Sequence, residues 1–180
     1  MKKGLIIFLV AAAILVFGWM SIYNGLVAKN EKINQNQSEI DNQLKRRADL
    51  VPNLVSTVKG VSAQELKLVS AVTDARVKMS TGSTQQKLAA NDALTTSINV
   101  LVENYPVLKS DTAYTGLMDE LAGTENRIAT AKKAYNDEVG SFNTSIKTFP
   151  TSIIASISGF SAKTYLETTA ADKAPISVQF

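Results

Sequence analysis

Cysteine and histidine are both absent from the 180 residues. Without cysteine there are no disulfide staples, no zinc–thiolate sites and no thiol nucleophile. Without histidine the chain lacks the commonest general base, the commonest metal ligand and the phospho-accepting residue of a sensor kinase. These two absences narrow the enzymatic readings more than any residue present. Aromatics are scarce at 7%, the stretch from Leu26 to Val72 holds no run of alternating strand pattern, and no internal repeat is evident. A dense basic face is missing too. The chain has 19 Lys and Arg against 16 Asp and Glu, but Lys2 and Lys3 precede an apolar segment, leaving 17 basic residues against 16 acidic ones from Gly4 onward. A body so close to neutral carries no electrostatic footprint for nucleic acid.

Charge disappears altogether from Gly4 to Ala28. At about 1.5 Å per residue a helix of this length reaches roughly 37 Å, enough to cross a hydrocarbon core of about 30 Å with some tilt. Trp19 and Tyr23 fall where an interfacial aromatic belt sits, and Lys2, Lys3 and Lys29 flank the segment. A cleaved signal peptide shares the charged start and apolar run. It also needs a small-x-small site at the far end, whereas Ala11–Ala13 lies inside the run. The expectation is an uncleaved, single-pass anchor in the cell membrane, with the lipid bilayer as partner through residues 4–28. Its orientation stays open. Lys29, Lys32, Lys45, Arg46 and Arg47 outnumber the two leading lysines and favour a cytoplasmic body, while the Met-Lys-Lys start favours the opposite side. The expected plan is an anchor over 1–28, a helical domain over 29–169 and a C-terminal tail over 170–180.

Beyond the anchor, Leu26, Ile33, Ile40, Leu44, Val51, Val55 and Val58, then Leu66, Val69 and Val72, recur mostly at steps of three, four and seven. That spacing predicts an amphipathic helix with a packing seam, running to about Met79. Pro52 cannot donate to the carbonyl of Ala48, so a kink or restart is expected there. Ser80-Thr81-Gly82-Ser83 reads as a turn, with Ser83 or Thr84 capping a second helix over 84–104. Its apolar positions are Leu88, Leu94, Ile98, Leu101 and Val102, and Asn104-Tyr105-Pro106 ends it. Ser110-Asp111-Thr112 offers caps for a third helix. Its seam is Tyr114, Leu117, Leu121, Thr124, Ile128, Ala131, Tyr135, Glu138, Phe142, Ile146 and Phe149, with Val139 beside the one acidic exception. Pro150 stops it, and Ile153, Ile154 and Ile157 form a short helix before Gly159. The expected fold is all-α: a transmembrane helix followed by an antiparallel bundle of three long helices plus a short C-terminal one.

Several motifs in order then resemble one bacterial family. QLKRRADLVPNLVSTVKG (Gln43–Gly60), YPVLKS (Tyr105–Ser110), ENRIATAKKAYNDEV (Glu125–Val139), FNTSIKTFP (Phe142–Pro150), the Tyr23-Asn24 pair after the apolar segment and the ending Pro175–Phe180 are similar to the LemA family. Gln64 departs from a histidine and Lys132-Lys133 from an arginine common in members. The resemblance implies a membrane-anchored, all-helical protein of long antiparallel helices with no established enzymatic activity. It also implies links to the bacterial envelope, to a membrane metalloprotease in some members and to magnetosome membranes in one branch.

The candidate residues are polar groups that helical spacing drives inward. Counting from Leu44 to Val51, the seam passes through Arg47 or Ala48; counting from Leu121, Glu125 lies near the third helix's seam. A buried guanidinium needs a carboxylate of matching planar geometry. The expected pair is Arg47 with Glu125, with Asp49 as alternative partner, fixing register more than adding stability. Arg46, Asn53, Tyr135, Asn136 and Asn143 are further interaction or interhelical candidates; Tyr135, Asn136 and Asn143 most simply complete hydrogen bonds between helices, with a small polar pocket as the alternative. No cofactor is expected, and no catalytic or metal set converges. The favoured function is a non-enzymatic envelope scaffold that recruits a membrane-protein partner (an envelope protease or similar) or self-associates. The alternatives are a hydrolase using Asp119, Glu120, Glu125, Asp137 and Glu138, and a lipid-binding or membrane-shaping module.

Overall fold

A computed structural model of the chain describes residues 2–58, 65–104 and 112–167. Among them the secondary structure is all helical: α1 (Lys2–Val58), α2 (Glu65–Ser80), α3 (Thr84–Asn104), α4 (Thr112–Ser145) and the short α5 (Thr151–Ile157). The YPVLKS stretch, Gln64, most of the Ser110-Asp111-Thr112 cap and the expected tail at 170–180 lie outside the described residues.

The chain falls into two compact units. Met1–Asn36 with Ala134–Tyr165 forms the first, and Gln37–Lys133 with Leu166–Phe180 the second.

In the first unit, α1 changes character at Leu26. Leu5, Ile6, Ile7, Phe8, Leu9, Val10, Ile14, Leu15, Val16 and Phe17 are all exposed, whereas Leu26 and Ile33 are buried. A helix that buried its apolar residues in its own domain would show one stripe inside and a polar face outside. Here the apolar surface goes all the way round, so it needs a solvent other than water. Against the buried stripe packs the end of α4, through Tyr135, Val139 and Phe142. The seam passes through Val139, fully buried, and leaves Glu138 half-buried. Two ties set the direction. Asn36 Nδ2 donates to the carbonyl of Ala134 at 3.1 Å, and Lys29 Nζ donates to Ser141 Oγ. The helices are therefore antiparallel here.

Helix α4 stops at Ser145, before the expected stop at Pro150. Residues 146–150 form a turn with Phe149 77% exposed, where the regular seam had placed it inside. The chain passes through this turn into α5, whose N-cap is Pro150. That short helix ends in a Schellman motif: Gly159 has φ +76°, Phe160 N–H donates to the Ala155 carbonyl at 3.0 Å, and Gly159 N–H to Ser156 at 3.4 Å. A Cβ would strain the left-handed backbone at Gly159. The motif turns Phe160 inward, with ring centroids 5.9 Å from Tyr23 and 6.1 Å from Phe142.

In the second unit, α1 buries Ile40, Leu44, Arg47, Ala48, Val51 and Leu54. Leu54, not Val55, carries the seam onward; each such fully buried aliphatic side chain contributes about 1.5–3 kcal/mol relative to exposure. The helix does not restart at Pro52, which lies exposed inside continuous helix. Packing of the residues on either side offsets the missing backbone hydrogen bond, a case of tertiary context overriding propensity. Replacing Pro52 with Ala is accordingly expected to stabilise the protein by about 1–3 kcal/mol, read as a higher denaturation midpoint. An unchanged or lower midpoint would show that the proline serves the fold.

The helix expected to run to Met79 instead appears as α1 and a separate α2, so the described residues hold four long helices rather than three. Helix α2 buries Val72, Ala75 and Met79 and packs along α3. Their junction is a capping box. Ser83 Oγ accepts from Gln86 N–H at 3.4 Å while Gln86 Oε1 accepts from Ser83 N–H at 2.9 Å. Gly82, at φ +95°, supplies the tight approach, since a Cβ there would lie 2.6 Å from Gln86 Oε1. The reversal at 81–83 makes α2 and α3 antiparallel, and α3 runs parallel to α1. Gln37 Nε2 donates to Thr84 Oγ1 at 3.1 Å and Lys87 Nζ to Asp41 Oδ1 at 3.0 Å, so both partners advance together.

Candidate functional site

The most buried charge described in the second unit is Arg47, 3% exposed. Its place follows from spacing: one turn beyond Leu44 and one before Val51, it sits on the packed face of α1. A guanidinium there must be paired on every side it can be. Nη1 forms an ion pair with Glu125 on α4 and donates to Asn91 Oδ1 on α3 at 2.9 Å. Nη2 donates to Thr95 Oγ1 at 2.9 Å. Asn91 closes the ring by donating Nδ2 to Glu125 Oε2 at 3.1 Å, and Thr95 Oγ1 donates to the Asn91 carbonyl at 3.0 Å. Three helices thus meet in one polar knot. Arg47 Nε and Gln43 Oε1 are buried without a hydrogen-bond partner among the described residues, so the knot is not fully satisfied.

Electrostatics follow from this geometry. Burial pulls the Arg47 guanidinium down from its usual value to about 10, and the Asp92 carboxylate on α3 opposes that fall. Arg47 stays charged at neutral pH. Asp49 and Arg46, its chain neighbours, are exposed, as is Asn53. Successive residues of a helix turn by about 100°, and of these four polar residues only Arg47 shares the face of Leu44 and Val51.

Tyr135 and Asn143, both in the first unit, are buried. Tyr135 Oη donates to the Thr164 carbonyl at 3.2 Å. Asn143 Nδ2 donates to the Lys163 carbonyl at 2.8 Å while its Oδ1 accepts from Lys163 N–H at 2.8 Å. These bonds run to the segment after α5, which has no regular structure, rather than between helices. Backbone groups outside helix or sheet still need partners, and these side chains supply them. Asn136, the next residue of α4, is half-buried. Burial pushes the phenols of Tyr114 and Tyr135 upward from 10. The folded state then holds those protons longer than the unfolded one. Their contribution to stability is complete below pH 10 and is lost as pH rises from there through the folded values. Absorbance at 295 nm is expected to show two tyrosinates forming late, and Tyr135→Phe should remove one of them.

Acidic residues do not converge. Among the described residues there is no group of three or more acids placed to hold a metal ion. An open groove of about 480 Å³ lies on the α2–α3 hairpin, lined by Lys78, Thr81, Gly82, Gln86 and three alanines. Among the described residues its only ionisable lining side chain is that lysine.

The LemA family model matches residues 36–180. The chain belongs to the LemA family. It is 25% identical over 184 residues to the magnetosome proteins MamQ 1 and MamQ 2 of Paramagnetospirillum magneticum, covering 86% of this chain and 68% of each relative. To Protein LemA of Metamycoplasma hominis it is 26% identical over 156 residues, covering 84% of this chain and 71% of the relative. The family match takes in Arg47, Asn91, Thr95 and Glu125 and begins after the exposed apolar part of α1.

Spacing alone missed Asn91 and Thr95. A signal existed: Asn91 fills the three-residue steps between Leu88 and Leu94, a polar group on an apolar seam, and Thr95 lies one turn on. Lys163 and Thr164 left none, since they act through their main chain.

Proposed function

We propose that this LemA-family protein is a single-pass, membrane-anchored scaffold without enzymatic activity, whose helical body presents faces to an envelope protein or to a second copy of itself. One observation carries the reading: the apolar part of α1 is exposed all round, and one helix of this chain is long and apolar enough to cross a membrane. The polar knot supports it, because Arg47, Asn91, Thr95 and Glu125 spend their hydrogen bonds on one another. Such a knot ties α1, α3 and α4 to one another, the role of a register-setting contact rather than of a substrate site. The relatives named as magnetosome proteins favour a role in a cellular assembly. The expected domain plan fits the same reading, with residues 4–28 in the bilayer.

Alkaline carbonate extraction tests the anchor, and crosslinking of the full chain in native membranes tests the scaffold. The expected results are retention in the membrane pellet and a discrete crosslinked species containing residues from the helical body. Release into the supernatant would overturn the anchor, and the absence of any crosslinked species would overturn the scaffold.

A further inference from the structure

Helix α5 carries an apolar face that its own unit does not use. Phe149, Ile153 and Ile157, spaced by four, are 77%, 51% and 68% exposed, while Ile154 beside that row and Ala155 opposite it are buried. Three large side chains in a row along a seven-residue helix and its leading turn are costly to hold in water.

The register of the first unit says where that face lies. Asn36 reaches Ala134 and Lys29 reaches Ser141, so seven residues back along α1 correspond to seven forward along α4. Continued at that pitch, the turn at 146–150 comes level with residues 20–24 of α1, to within a turn. The Tyr23–Phe160 ring contact reports the same level independently, from the far end of α5. A hydrocarbon core of about 30 Å takes about 20 helical residues, so a span entered near Gly4 is left near residue 24. Trp19 and Tyr23, both partly exposed, mark that boundary. The turn and α5 thus stand at the depth where lipid headgroups begin.

Charge agrees. From Val139 to Tyr165 the sequence holds two lysines, Lys147 and Lys163, and no acidic residue. A stretch that is basic and never acidic beside an apolar face is suited to anionic headgroups.

We propose that α5 and the turn before it form a second membrane contact, lying in the interface of the same bilayer that holds α1, with Phe149, Ile153 and Ile157 directed into the acyl boundary. The proposal rests on the anchor reading above. It turns the anchor from a flexible tether into a two-point seat: α1 enters the bilayer, α5 lies on it, and the first unit is fixed in tilt. The exposed apolar belt of α1 and the α5 face form one continuous lipid-facing surface.

Because the chain has no cysteine, single labels can be placed without background. Phe149→Cys, Ile153→Cys and Ile157→Cys, with Ile14→Cys in the anchor and Ala134→Cys on exposed α4, are nitroxide-labelled in the full-length protein. Each is reconstituted in anionic vesicles of one part phosphatidylglycerol to three parts phosphatidylcholine. Collisions with oxygen, enriched in lipid, are compared with collisions with a water-soluble nickel chelate. The expected oxygen-to-nickel ratio at 149, 153 and 157 exceeds that at 134 by about fivefold or more and lies between those at 134 and 14, as for an interfacial helix. A ratio equal to that at 134, with position 14 still in lipid, overturns the proposal and spares the anchor. Labels on α5 sheltered from both reagents would mean a protein cover, which also overturns it. Position 14 open to nickel would remove the anchor and the proposal together.

Discussion

Glu125→Gln is expected to destabilise the protein by about 1–3 kcal/mol, while Arg47→Met stays within about 1 kcal/mol of the parent. The two residues form one ion pair, so a view that counts interactions would give both losses the same size. Burial makes them unequal. Arg47 is 3% exposed and its side chain cannot reach water when its carboxylate is gone, whereas the Glu125 side chain is 37% exposed. Glutamine at 125 still accepts from Asn91 but leaves a desolvated cation with no counter-charge in contact; Asp92 helps only from a distance. Methionine at 47 removes the desolvated cation itself, together with the unpartnered Nε, and fills similar volume with apolar atoms. Glu125 can then turn outward to solvent; Asn91 Oδ1 and Thr95 Oγ1 lose the Nη donors, which sets the remaining cost. Urea unfolding of the full chain in mild detergent measures both, and the double variant closes the cycle. In the double variant much of the Glu125→Gln loss should be recovered, because the charge left stranded is no longer there. Equal losses from the two single variants would mean that desolvation is not what governs the knot. The asymmetry also bears on function. If the pair exists to set which residues of α1, α3 and α4 face one another, Arg47→Met should leave stability intact yet weaken the crosslinks of the helical body.

What could be read from sequence follows from which forces leave a local mark. The exposed apolar run of α1, α3 over 84–104 and α5 before Gly159 were all visible, because uninterrupted apolar runs, caps and prolines act within a few residues. Arg47 and Glu125 could be placed on seams by counting turns from Leu44 and Leu121. Their junction through Asn91 could not, because a three-helix meeting depends on the register of α3 against α1, and that register is set by contacts such as Lys87 with Asp41 that are far apart in sequence. The separate α2 was hidden for a related reason. Apolar spacing from Leu26 to Val72 continues in phase across both helices, and periodicity does not record where a helix ends. Pro52 misled in the opposite sense, since a strong local breaker is outweighed when Val51 and Leu54 beside it are buried.

The seam of α4 misled once more, and the largest expected effect lies there. Phe142 and Phe149 are seven residues apart, the same residue type at the same heptad phase. Phe142→Ala is expected to cost about 3–5 kcal/mol, and Phe149→Ala within about 0.5 kcal/mol. Phe142 is fully buried, between the seam of α1 and the ring of Phe160 at 6.1 Å. Its truncation opens a cavity that helices tied by Lys29–Ser141 and Asn36–Ala134 cannot easily close, and it removes one of the two rings that hold Phe160. Phe149 stands in the turn with 77% of its surface free, so truncation removes no packing from the protein. Unfolding in detergent micelles separates the two, and amide exchange shows where the damage goes. Phe142→Ala should speed exchange at Lys163, whose N–H is bonded by Asn143 next along the helix, while Phe149→Ala should leave it unchanged. Losses of similar size would show that α4 continues its seam through residue 149. A large loss from Phe142→Ala alone would show that the helix has finished packing by Ser145, which leaves Phe149 free to face something other than its own chain.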